Sequence, residues 1–200
     1  MDGYEATASI RALPDGRIAV FAYNSPLNIY EPALGRLAVP GGDASFPLPP
    51  GNHWQMAADG AGTVYVGVTE AASVGVWKFR PDGAPAYEFA AGTTNRLCAD
   101  NPRGIALDAA GNVYVAAADG KIRRYRPDGA LAAEWNTAIP PGPGRIAATP
   151  DGSAVFAAVP RAGALVCFRR APDGTYTRAW EETRLGAPVS ALALSPAGAL

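Results

Sequence analysis

The sequence predicts an all-β fold: a β-propeller of four-stranded antiparallel blades, with about four blades present and the first strand of a fifth. Three observations carry this reading. The 200 residues include 23 glycines and 19 prolines, and only 18% are charged, a composition suited to many short strands and not to a helical bundle. A turn signature recurs with a period in the forties. One column of that repeat is almost always alanine, which a flat sandwich of sheets does not require.

The clearest copy runs from Arg103 to Trp135, RGIALDAAGNVYVAAADGKIRRYRPDGALAAEW. Ile105 to Asp108 is apolar and ends at a turn through Ala110, Gly111 and Asn112. Val113 to Ala117 follows, rich in residues that suit a pleated, packed surface. Asp119-Gly120 is a strong hairpin signal and predicts a type I′ turn, in which both central residues take positive φ. Lys121 to Arg126 is the third strand. Pro127-Asp128-Gly129 turns it, proline presetting φ and glycine taking the left-handed position. Ala130 to Trp135 is the fourth. A meander of this size cannot bury both faces alone and needs neighbours of its own shape.

The rest of the chain supplies them. The glycine of the first turn recurs at Gly16, Gly62, Gly111, Gly152 and Gly198, at intervals of 46, 49, 41 and 46 residues. Pro-Asp-Gly recurs at 81–83, 127–129 and 172–174, and is degraded to EPALG at 31–35. Blades are expected over approximately 5–45, 54–90, 103–136 and 144–181, with a partial one over 189–200. Ile10, Met56, Ile105, Ile146 and Leu192 share the core position of strand one. Strand three ends in Tyr30, Phe79, Tyr125 and Phe168, and strand four in Phe89, Trp135 and Trp180. The residue after the strand-one core position is Arg11, Ala57, Ala106, Ala147 and Ala193. Half-exposed strands alternate apolar with polar, whereas here both faces of strand one are apolar and one is kept minimal. That taper, small inside and aromatic outside, fits sheets packed around a common axis. The last eleven residues, SALALSPAGAL, read as a first strand and its turn. The expectation is therefore an incomplete six-bladed ring within a longer protein, a compact four-bladed ring being the alternative.

Residues 102–129, PRGIALDAAGNVYVAAADGKIRRYRPDG, resemble the NHL repeat of six-bladed propellers, and similar tracts occur in the gluconolactonase-like group. The likeness is close over that repeat, good over 54–89 and 145–180, and loose over 5–41. The NHL resemblance implies a binding or scaffold module whose partner, a protein, peptide or glycan, docks on the loops at one end of the ring. The gluconolactonase resemblance implies the second reading, a metal-dependent hydrolase or lyase, whose relatives hold a divalent metal with a glutamate, an asparagine and an aspartate. The strand-one entrances here begin with Ala8, Trp54, Arg103, Gly144 and Ser190, none of them such a ligand, although Asn52 and Asn101 lie two residues earlier.

Lys+Arg 17 against Asp+Glu 18 gives a formal net charge of −1, so nothing points to a nucleic-acid partner, which would want a clustered basic surface. No apolar run is long enough to span a bilayer as a helix. MDGYEATASIRALPDG has neither the basic nor the apolar region of a signal peptide. Cys98 and Cys167 occupy non-equivalent repeat positions and read as two unrelated thiols, leaving the compartment undetermined.

Candidate ligand-binding residues sit in the between-blade loops and the inner turns, where several loops converge. They are Asn52, His53, Glu70, Asp100, Asn101, Arg103 and Arg145. His53 is the sole histidine, able to serve as acid, base or ligand, or to stand as a solvated loop residue beside Trp54. Arg103 and Arg145 together suit a carboxylate or phosphate, or pair with loop acids such as Asp100. Asp100, Asn101 and Glu70 offer oxygens to a hard cation. No metal site and no cofactor are assigned, a divalent cation such as calcium being the one class left open. No catalytic residue is assigned: there is no Gly-x-Ser-x-Gly, zinc-spaced His/Cys set or phosphate-cradling loop. Glu181 and Glu182 are adjacent on a strand and point apart.

Overall fold

A computed structural model of the chain describes residues 9–21, 28–31, 36–37, 53–69, 74–82, 84–86, 96–97, 101–138, 144–159, 163–183, 185, 189 and 192–194. Among them there is no helix, and none long and apolar enough to cross a membrane. Four antiparallel sheets account for the regular structure. The chain divides into two compact units, Met1–Ala99 and Asp100–Leu200, each holding two sheets.

In the first unit, sheet 1 is a meander of β1 (Ser9–Ala12), β2 (Ile18–Phe21), β3 (Asn28–Glu31) and β4 (Arg36–Leu37). The loosest copy of the repeat therefore still forms all four strands, although its Pro-Asp-Gly is lost. Sheet 2 comprises β5 (His53–Ala58), β6 (Val64–Val68) and β7 (Gly75–Phe79). The expected fourth strand ending at Phe89 lies outside the described residues. Isolated bridges Phe79–Pro85 and Trp77–Arg96 continue the pairing on the outer side of β7. Leu13, Ala19 and Ile29 of sheet 1 pack with Met56, Val64, Val66 and Phe79 of sheet 2, and the Arg11 Nε donates to the Met56 carbonyl at 3.0 Å.

In the second unit, sheet 3 comprises β8 (Pro102–Leu107), β9 (Val113–Ala117), β10 (Lys121–Tyr125) and β11 (Leu131–Asn136). Sheet 4 comprises β12 (Arg145–Ala148), β13 (Ala154–Val159), β14 (Ala164–Arg170) and β15 (Tyr176–Glu182). Ala106, Tyr114, Ala116, Ile122 and Trp135 of sheet 3 pack on Ile146, Val155, Ala157, Val166, Phe168 and Tyr176 of sheet 4. The first strands approach closely: a Cβ on Gly104 would stand 3.2 Å from the Ile146 nitrogen. Further out, large rings fill the gap. Trp135 stacks on Tyr176 at 4.2 Å between centroids, and Tyr114 meets Tyr176 edge-on at 6.2 Å. The expected taper is present between these two sheets. Ala57 and Ala106 are buried and Ala147 half-buried, as the alanine column requires, while Arg11 and Ala193 are exposed.

Two expectations are corrected. Only Gly120 of the Asp119-Gly120 pair takes positive φ (83°), so the hairpin is not type I′. Ala118 to Gly120 form a three-residue loop closed by Gly120 N–H to the Ala117 carbonyl, with glycine in the left-handed position. The Asp119 side chain, accepting from Lys121 N–H at 3.0 Å, stabilises this geometry. Ile10, expected in the core with Met56, Ile105 and Ile146, is 62% exposed while those three are buried. Its repeat position is the same, but among the described residues no sheet covers its face.

Candidate functional site

The strand-one entrance of sheet 3 is built around a fault in the β8–β9 ladder. Pro102 pairs with Ala117 and Gly104 with Ala116, so Arg103 is bulged out of register. Bulges of this kind bend a strand and re-aim a side chain, and Arg103 is exposed. The same fault recurs in sheet 2, where the ladder skips Trp54 between His53 and Gln55. Trp54 and Arg103 are repeat-equivalent, so the bulge belongs to the repeat and its side chain varies. In sheet 4, Gly144 N–H donates to the Ala158 carbonyl, while Arg145 pairs with the same Ala158.

Gly104 lies against the backbone of Ile146. Arg103 and Arg145 each precede those positions by one residue, at the entrances of neighbouring first strands. Arg103 is exposed and Arg145 half-buried. Loops of the same end are pinned around them. The Asn101 carbonyl accepts from Ala118 N–H at 2.9 Å. Thr137, almost fully buried, donates from both its N–H and its hydroxyl to the Gly120 carbonyl. Ala138 takes a left-handed φ of 57°, held by its N–H donating to the Asn136 side chain; such strain persists only where the surroundings over-determine it.

A second charged group lies alongside. Arg123 donates to Glu134 and to Asp119, both at 2.6 Å, and Lys121 donates to Glu134 at 2.5 Å. The Lys121 ammonium, then Arg123, holds the Glu134 carboxyl below the usual range. Burial pushes Asp119 up, but the Arg123 hydrogen bond and the Lys121 N–H outweigh it and leave it lowered. These four side chains, linked by three ion pairs, fix the end of the sheet. Lys121 and Arg123, two apart on β10, share one face of the strand, and Arg123 pairs directly with Glu134.

The other candidates fall out as follows. Asn101 is exposed at this same entrance. His53 opens β5 opposite Val68, in the first unit. Asn52, Glu70 and Asp100 lie outside the described residues. The turn aspartates serve their own turns: Asp82, Asp128 and Asp173 each accept from the N–H two residues on, and Asp108 accepts from Ala110 and Asn112. Among the described residues no three His, Cys, Asp or Glu side chains gather as a metal ion would need. Glu181 and Glu182 pair with Val166 and Leu165 on successive β15 positions, so they point to opposite faces.

No family model and no curated protein matches the chain. Solved structures do resemble it. A functionally unknown protein from Desulfotomaculum acetoxidans superposes with a TM-score of 0.63 at 18% identity, over 92% of this chain. The chain spans 61% of the length of that protein. The likeness is one of fold.

Proposed function

We propose that the four sheets are blades of an NHL-type β-propeller, and that the chain is a binding module. It holds a protein or peptide partner at the strand-one end through an acidic group. The observation that carries this is the bulge that leaves Arg103 exposed, with Arg145 at the entrance of the next first strand. Two guanidinium groups on adjacent, closely packed strands suit the planar, bidentate acceptance that a carboxylate offers. The strands, and not flexible loops, set the spacing, so little ordering entropy is lost on binding. The NHL resemblance of residues 102–129 supports the propeller and the choice of end. A glycan would dock here through uronic carboxylates by the same chemistry.

The test is an array of peptides with a free terminal carboxylate, each beside its amidated counterpart, probed with the whole chain. Binding is expected to favour the free acids, to weaken with salt, and to drop at least about tenfold in Arg103→Ala. Equal binding of acid and amide, or an undiminished Arg103→Ala, would overturn the assignment.

A further inference from the structure

Sheets 3 and 4 face each other with more positive charge between them than the described residues balance. On sheet 3, Arg124 stands between Tyr114 of β9 and Ala133 of β11 in one cross-strand row, with Ile122 and Trp135 in the adjoining row of the same face. Tyr114, Ile122 and Trp135 pack on sheet 4, so Arg124 lies on the face that sheet 4 covers, and it is half-buried. Its Nε is buried without an acceptor among the described residues, and so is the Trp135 Nε1. A guanidinium taken out of water needs a partner, and an orphaned buried donor carries its full desolvation cost.

On sheet 4, Arg170 pairs with Tyr176 and lies two residues along β14 from Phe168, so it shares their face, the one that meets sheet 3. Arg170 is exposed, and its guanidinium rests on the β14–β15 turn, 3.7 Å from where a Cβ on Gly174 would stand. Tyr176 joins the two arginines. Its ring stacks on Trp135 and meets Tyr114, the neighbours of Arg124, while Arg170 is its own partner across the ladder. Among the described residues neither Arg124 nor Arg170 has an ion pair or a side-chain hydrogen bond. Arg178, opposite Phe168 on the same face, pairs with Glu181. The Asp108 carboxylate, beyond Tyr114, is taken up by Ala110, Asn112 and Tyr114.

We propose that this seam, on the turn side of Tyr176, binds a phosphate dianion between Arg124 and Arg170. Two guanidinium charges on opposite walls match a dianion, and each offers the forked N–H donors that phosphate oxygens accept. A single carboxylate would leave one charge over. The seam is at the far end of the β8–β9 and β9–β10 ladders from Arg103, and it is independent of the ligand assigned there.

Thermal melting of the whole chain in inorganic phosphate, against sodium chloride of matched ionic strength, tests it. Phosphate is expected to raise the midpoint along a saturating curve, by about 2 °C or more once the anion is well above its dissociation constant. Arg124→Met, which keeps an apolar stem in the seam, should lose that rise. Arg170→Gln, at an exposed position, should lose most of it, and Arg103→Ala should keep all of it. No saturating rise in the parent, a rise kept by either seam variant, or a rise lost in Arg103→Ala would each overturn the proposal. If Arg124→Met does not fold, Arg170→Gln decides by itself.

Discussion

The Asp108 turn shows how single residues join two sheets. Asp108 closes its own turn with one carboxylate oxygen, and its other oxygen accepts from Asn112 Nδ2 at 2.8 Å and the Tyr114 hydroxyl at 3.0 Å. The Tyr114 hydroxyl also meets the Tyr176 hydroxyl at 3.0 Å, and Tyr176 donates to the Gly152 carbonyl at 2.8 Å. Burial, then the Tyr176 hydrogen bond, pushes the Tyr114 hydroxyl far above the usual range, so it stays protonated and able to donate. Ala109 N–H donates across to the Pro150 carbonyl at 2.8 Å, completing a polar staple between sheets 3 and 4. Gly152 is its tightest point: φ is 67°, and a Cβ there would stand 2.7 Å from the Tyr114 oxygen and 2.8 Å from an Asp108 oxygen. Gly152→Ala is expected to destabilise by about 1–3 kcal/mol from the backbone alone, and more as the staple is displaced. Urea unfolding would measure it, and a midpoint unchanged from the parent would show that the network yields freely.

At the scale of the element, the alanine column separates a packed inner strand from an open one. Ala106 is buried against sheet 4, whose first strand leaves little room even for a Cβ on Gly104, which would stand 3.2 Å from the Ile146 nitrogen. Ala106→Leu should therefore overpack the interface and destabilise by about 1–3 kcal/mol. Ala193→Leu, at the equivalent but exposed position, is expected to change stability by less than about 0.5 kcal/mol. Equal effects in thermal melts would mean that the inner strands are not crowded. The third-strand aromatics obey the same rule. Phe79, Tyr125 and Phe168 are buried, but Tyr30, their counterpart on the uncovered face of sheet 1, is 37% exposed.

At the scale of the whole molecule, the turns add up to a response to acid. The Ser153 N–H, then the Thr149 hydroxyl, holds the Asp151 carboxyl down at about 2. The Thr175 hydroxyl and N–H lower Asp173, and the Arg17 N–H lowers Asp15. A depressed folded value means the charged form is favoured in the native state. The Asp151 contribution is therefore complete above its ordinary value of 3.8 and disappears as pH falls through about 2. Calorimetry in that window should show the melting temperature falling with pH. Asp151→Asn, which keeps an oxygen acceptor but cannot titrate, should flatten part of the slope. An identical slope in the variant would remove this turn as a source.

The strands and turns could be read from the sequence because they depend on residues close together in the chain. Alternation, β-branched and aromatic content, and Pro-Asp-Gly act over a few residues, and repetition averages out local ambiguity. In the clearest copy, expected strands at Ile105–Asp108, Val113–Ala117, Lys121–Arg126 and Ala130–Trp135 became β8 to β11 with ends moved by at most a few residues. That Arg103 and Arg145 both lie at strand-one entrances was also visible, since both precede strand-one cores. What the tertiary structure alone decided was burial and direction. Ile10 and Ile146 hold the same place in the repeat, yet one faces solvent and the other a neighbouring sheet. The bulge that exposes Arg103, and the Tyr114–Tyr176 contact across 62 residues, have no local signature. The tyrosine contact arises from how closely two sheets approach, a property of the pair that neither segment carries by itself.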